Sequence, residues 1–206
     1  MKNIKVNYEK GAAEFAEQLI GRAVSDEELA AAVGALGEAE VTIRPYLDGG
    51  LLADIKHPEI ELQQRRIFRN AQGELEVNNL YFEKKSGARR GVGIESFLAQ
   101  VNGATSLGVK RINTFAAGRN KPHALIGYYV WARFGFDAPL DEADLRRLPR
   151  KYAQARTLND LMLLGGHKWW KRHGTERNMS FDLRPDSSSM RVLTAYLAEL
   201  KKQGRL

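Results

Sequence analysis

The chain has 206 residues, of which 43% are hydrophobic and 28% charged. That is long enough for one domain with a full core, and it excludes a disordered, collagen-like or coiled-coil chain. There is no cysteine, which excludes disulfides, thiolate metal sites and a cysteine nucleophile; of the four histidines none pair at i,i+4 spacing, so no metal site is expected. Lys and Arg total 32 against 25 acids, a net charge of +7, which points to a polyanionic partner: nucleic acid, a phosphorylated cofactor or an acidic protein surface.

The segment Met1–Lys10 carries no apolar signal-peptide region, and no window reaches the roughly 18 apolar residues of a membrane span. A cytoplasmic location without a membrane partner is expected. From Gly11 to Leu36 the spacing of Phe15, Leu19, Ile20 and Ala23 predicts a helix that bends near Gly21. Ser25 with Glu28 forms a capping box that starts a second helix, striped by Leu29, Val33 and Leu36. From Glu40 to Lys85 the pattern turns to β. Val41–Leu47, a turn at Asp48-Gly49-Gly50, Leu51–Ile55, Glu61–Phe68, a hairpin turn at Asn70–Gly73 and Leu75–Glu83 predict an antiparallel meander of four strands.

A Gly- and Arg-rich loop, Ser86–Gly93, leads into a helix from Ile94 to about Leu107, with Gly108 as its stop. Val109–Ala117 reads as a strand, residues 118–122 as a loop and His123–Phe134 as an aromatic helix ended by Gly135-Phe136. Residues 140–177 are strongly basic and helical in two or three pieces. A last strand over Asn178–Leu183 and a closing helix over Met190–Lys202 follow. The expected class is α+β: a mixed, mostly antiparallel central sheet flanked by helices, one domain over residues 1–206 with a basic helical insertion at 140–177 before the last strand.

The loop carries the clearest chemistry. A helix N-terminus presents unpaired N–H groups and partial positive charge. Gly91 and Gly93 let an anion approach the backbone, and Lys84, Lys85, Arg89 and Arg90 surround it with cations. This is a phosphate site in outline, without the Gly-Lys-Ser/Thr of a Walker loop or a complete Rossmann fingerprint.

With Ala88-Arg89-Arg90-Gly91-Val92-Gly93 after a meander strand, then Arg111–Ala117, Asn120 and Trp131-Ala-Arg-Phe-Gly135-Phe136, the order of landmarks resembles the Gcn5-related N-acetyltransferase (GNAT) superfamily, as a divergent member. The likeness covers about Leu75–Phe136. It implies an acyltransferase that takes acetyl-CoA or a related acyl-CoA and acylates an amine of a macromolecular or small substrate. Arg89, Arg90, Gly91, Val92 and Gly93 would hold the pyrophosphate, with Asn120 nearby. The backbone around Leu80 and Phe82 would meet the acyl carbonyl and pantetheine arm. A carboxylate on the third or fourth meander strand would serve as general base, with Glu76 first, then Glu83, and Asp54 and Glu61 behind them. The chain departs from the family pattern in two places. Ala88 stands where Gln or Arg opens the loop, with Arg89 or Arg90 to compensate. Trp131 stands where a Tyr donates a proton to the thiolate, and Tyr128, one turn earlier, is the substitute acid, with Tyr129 as the neighbour to compare.

The insertion supports a second expectation from a different class. Trp169 and Trp170 lie between Lys168 and Lys171-Arg172, and aromatics among cations suit stacking on bases with phosphate contact. Two adjacent tryptophans cannot both face one core. The alternative function is a non-catalytic module of the same resemblance, binding nucleic acid or protein through this segment. Gly127–Asp137 with the later Phe181-Asp-Leu-Arg-Pro185 looks like GNAT-like domains of phage, mobile-element or toxin systems.

Overall fold

The structure, a computed structural model, describes residues 3–47, 49–121 and 125–205. Met1 and Lys2, Asp48 of the expected Asp-Gly-Gly turn, and Pro122 and His123 at the expected loop end and helix start lie outside the described residues. The chain forms two compact units, one up to Ile112 and one from Asn113 onward, with the boundary inside a strand. Among the described residues no helix is long and apolar enough to cross a membrane.

The first unit comprises β1 (Lys5–Tyr8), α1 (Ala12–Ile20), α2 (Asp26–Ala32), β2 (Glu40–Tyr46), β3 (Gly50–Lys56), β4 (Ile60–Arg69), β5 (Leu75–Lys84) and α3 (Val92–Ser106). Its five strands lie side by side in chain order. β1 runs parallel to β2 and the other pairs are antiparallel, so the sheet is mixed and the α+β class holds. β1 is absent from the sequence reading because four residues carry too little alternation to declare a strand. Alternation along β2 puts Val41 and Ile43 in the core beside Leu51, Ile67, Val77, Leu29 and Phe97. The capping box of α2 is formed: Ser25 Oγ accepts from Glu28 N–H, and Glu28 accepts from Ser25 N–H. At the β4–β5 turn Asn70 Oδ1 accepts from the amides of Gln72 and Glu74, the side-chain turn chemistry that asparagine supplies.

α3 packs unusually close to α2. A Cβ on Gly103 would lie 2.3 Å from the carbonyl carbon of Ala31, so only glycine fits. Beneath α3 runs a buried polar layer. Asn79 on β5 and Gln100 on α3 exchange two amide hydrogen bonds, at 3.0 and 2.7 Å. Gln63 on β4 donates to the carbonyls of Val33 and Gly34 and to Ser96 Oγ, and Ser96 Oγ donates to Gly34 O at 2.7 Å.

The second unit holds β6 (Arg111–Arg119, whose first two residues belong to the first unit), α4 (Gly127–Arg133), α5 (Glu142–Arg147), a 3-10 turn (Arg150–Tyr152), α6 (Leu158–Leu163), α7 (His167–His173), β7 (Thr175–Asp182) and α8 (Ser188–Lys202). β6 neighbours β7. α4 begins later than the sequence predicts: Ile126 is held in an antiparallel bridge with Gly118, and the helix starts at Gly127. Gly118 permits this approach, since a Cβ there would meet Leu125 O at 1.7 Å. The basic segment is three short helices and the 3-10 turn. Two of them open on capping boxes, Asp141 with Asp144 and Thr157 with Asp160. Trp170, Leu158, Leu161, Phe136 and Phe181 form the core of this unit.

Replacing Gly103 by Ala removes a poor helix former, which in an open helix stabilises by about 1 kcal/mol. Here the added methyl has no room, and we expect a net loss of about 1–3 kcal/mol. A urea midpoint that rises instead would show that the two helices stand further apart.

Candidate functional site

The loop between β5 and α3 ends in a built helix start. Gly91 is the N-cap residue with φ +93°, a left-handed conformation that favours glycine, and no side chain caps the helix. α3 has 15 residues, so its first turn brings partial positive charge to this end. Gly93 rests against Phe82, with 3.4 Å between the ring and the position of a Cβ.

Arg89 has a different role from the one its sequence position implies. Its backbone N–H and Nε donate to Glu59, each at 2.9 Å, and its two Nη atoms donate to the two oxygens of Glu95, each at 2.5 Å. Hydrogen bonding from Arg89 holds the Glu95 carboxyl below its usual range, against a smaller opposing effect of burial. Arg89 therefore ties the loop to β4's leading edge and to α3. Its charge is spent on two carboxylates, and it cannot stand in for the side chain missing at Ala88. Arg90, Lys84 and Lys85 are exposed around the same loop.

β5 is irregular one turn of pleat before the loop. Gln64 pairs with Tyr81 and Arg65 with Asn79, so Leu80 has no residue opposite it. This is a β-bulge, which breaks the ladder locally and re-aims the chain, and such bulges are over-represented beside active sites. Leu80 is 37% exposed. Arg65 fills the space behind it. Its Nη1 donates to the carbonyls of Tyr81 and Gln64, and its guanidinium lies 5.6 Å from the Phe82 ring centre. Arg65 is fully buried with no carboxylate partner among the described residues, and burial lowers its pKa. A continuous set of contacts thus runs from Arg65 through the bulge and Phe82 to Gly93.

The carboxylates expected as bases are scattered. Glu76 is buried at the start of β5 and accepts from Asn70 Nδ2 at 2.8 Å, at the hairpin end of the strand. Lys84 lies eight positions further along, roughly 26 Å of extended chain. Glu83 is exposed opposite Leu62, close to the loop. Asp54 accepts from Arg44 Nε and Gln64 Nε2, and Glu61 is exposed on β4.

In the second unit, Tyr128 is 1% exposed and its hydroxyl donates to Lys171 O at 2.6 Å. Burial, with a smaller effect of Tyr129, raises its pKa. A phenol proton held by a backbone carbonyl inside the core is a packing device, and the donor role expected of Tyr128 does not fit this geometry. Tyr129 is half-buried, with Lys171 Nζ 5.5 Å from its ring centre. Trp131 packs edge-on against Phe134 and Phe136. Asn120 is exposed, with Nδ2 3.5 Å from Arg172 O.

The two tryptophans of the insertion separate as expected. Trp170 is fully buried, donates Nε1–H to Tyr128 O at 2.9 Å and carries the Arg177 guanidinium on its ring, so it cannot take part in nucleic-acid stacking. Trp169 is half-buried beside His173, ring centres 5.1 Å apart, and lines a cavity with Lys168 and Arg172. Lys171 is exposed but turned toward Tyr129.

Sequence reasoning missed Arg65, Glu59 and Glu95, and also Lys151, Tyr152, His167 and His173, which share the cavity with Trp169. Alternation along β4 would have flagged Arg65, which falls on the same face as Ile67. No protein-family model matches the chain, and neither does any curated protein sequence.

Tyr128→Phe strips a buried carbonyl of its donor and is expected to cost about 1–3 kcal/mol in urea unfolding. Tyr129→Phe should leave stability nearly unchanged. Equal effects of the two would remove the structural role assigned to Tyr128.

Proposed function

We propose that the chain is an acyl-CoA-dependent N-acyltransferase with a GNAT-like active region centred on β5 and the start of α3. One observation carries this reading: a bulge at Leu80 lies on the strand that feeds an uncapped, glycine-opened helix N-terminus. The two features stand in one unit and are joined by the Arg65–Phe82–Gly93 contacts. They are suited to opposite ends of one extended ligand, a diphosphate and an acyl thioester.

The amides of Val92 and Gly93 and the Arg90 side chain would bind the diphosphate, with Lys84 and Lys85 adding charge. The backbone at the Leu80 bulge would orient the acyl carbonyl and accept the charge that develops on its oxygen. The acyl thioester supplies an activated carbonyl carbon. The acceptor amine attacks that carbon, the C–S bond breaks, the amine's proton passes to a base and the thiolate takes up a proton. Glu83 is the carboxylate best placed to accept the amine's proton through water, because it is exposed near the loop while Glu76 faces the hairpin. Water supplies the thiolate's proton, since the Tyr128 hydroxyl is engaged elsewhere. Most of the rate would come from holding amine and thioester together.

Calorimetric titration with acetyl-CoA and with CoA tests the reading. Folded wild type should bind both. Arg90→Ala, at an exposed position, should weaken binding severalfold, and Gly91→Glu should abolish it by placing a carboxylate at the helix end. Absence of binding, or affinity unchanged in both variants, overturns the assignment.

A further inference from the structure

The helical insertion carries an open cavity of about 450 Å³ whose lining includes Lys151, His167, Lys168, Trp169, Arg172 and His173. Three of these side chains are permanently cationic and two are imidazoles, and among the described lining residues none is acidic. Elsewhere in the insertion four arginines have partners, while Arg150 is exposed. Arg147 and Arg177 pair with buried Asp144, Arg146 pairs with Glu142, and Arg156 donates to the carbonyls of Ala153 and Ala155. Lys151, Lys168 and Arg172 bring three cations to one cavity.

The aromatic wall is equally specific. Trp169 lies against Trp170, ring centres 6.4 Å apart, and against His173, ring centres 5.1 Å apart. Trp170 is anchored by burial and by its indole hydrogen bond to Tyr128 O. Trp169 is therefore a planar surface fixed in advance, at low entropic cost to a stacking partner. On the other side of the cavity Lys151 lies over the Tyr152 ring, 4.8 Å from its centre, and Tyr152 OH donates to Gly165 O at 3.3 Å.

We propose that this cavity binds a nucleotide unit, its base against Trp169 and its phosphate among Lys151, Lys168 and Arg172. The volume suits one nucleotide and its phosphate, within the range of ordinary ligand sites. A simple anion would leave the tryptophan wall without a partner, and an uncharged aromatic would leave three cations crowded together without a counter-charge. The ligand has two sources, a free nucleotide or one residue of a single-stranded nucleic acid. This site is independent of the acyl-CoA reading: it lies wholly in the second unit and stands if the β5–α3 loop binds nothing.

The test uses the full chain, with a fluorescein-labelled short oligothymidylate followed by anisotropy, AMP as competitor, and an abasic deoxyribose-phosphate oligomer of the same length as the base-free control. We expect the oligothymidylate to bind at least tenfold more tightly than the abasic oligomer, since each stacked base contributes substantially. Lys168→Ala and Arg172→Ala, both at exposed positions, should weaken it and each reduce the salt slope by roughly 0.7. Trp169→Ala should abolish the preference for bases, whereas Trp169→Phe should retain most of it. Displacement by AMP at comparable affinity assigns the site to a free nucleotide, and failure of AMP to compete assigns it to a strand. The proposal is overturned if neither ligand binds, if the abasic oligomer binds as well as the oligothymidylate, or if the two cation variants bind like wild type.

Discussion

The closeness of α2 and α3 governs the first unit. Because Gly103 has no side chain, the backbone of α3 sits directly on that of α2. At that distance α3 has only one position in which its polar groups can be satisfied. Gln100 must meet Asn79 on β5, and Ser96 must meet Gly34 and Gln63. A buried amide left without its partner costs far more than the hydrogen bond contributes, so these pairs act as a register lock. The start of α3 is thereby fixed against β5, and with it the geometry of the β5–α3 loop.

The same reasoning explains the crowd of charges at the loop. A helix N-terminus beside Arg89, Arg90, Lys84 and Lys85 would repel itself if nothing balanced it. Glu59 and Glu95 both pair with Arg89, and they bind the loop to the sheet in doing so. What is left for a ligand is a smaller and more ordered positive field than the sequence implies. Buried Arg65 adds a cation behind the bulge, screened from water by Phe82 and the surrounding sheet.

Local signals made much of the fold readable. The capping box at Ser25, the Asn70–Gly73 turn and the alternation along β2 to β5 each depend on a few adjacent residues, and each appears where the sequence places it. The misreadings come from contacts between distant residues. α4 starts late because Gly118 pairs with Ile126. Arg89 is lost as an anion ligand because Glu59, thirty residues earlier, claims it. Glu76 and Glu83 look alike in sequence, yet one faces the hairpin and the other lies near the loop. Trp169 and Trp170 could be separated in principle, since one helix face cannot hold both, but which of them enters the core depends on Tyr128 O and Arg177. The cavity was not readable, because its lining comes from a 3-10 turn and a helix with α6 between them.

Asn159 illustrates how deeply the basic segment is woven into its surroundings. It is fully buried, and its Nδ2 donates to Gly135 O after α4 and to Ser188 Oγ at the start of α8. Together with the indole of Trp170 it supplies donors to backbone carbonyls on α4 and just beyond it. The stretch 140–177 is thus a keystone of the second unit. A fragment cut to remove it would leave an open core and would strip Tyr128 O and Gly135 O of their side-chain donors.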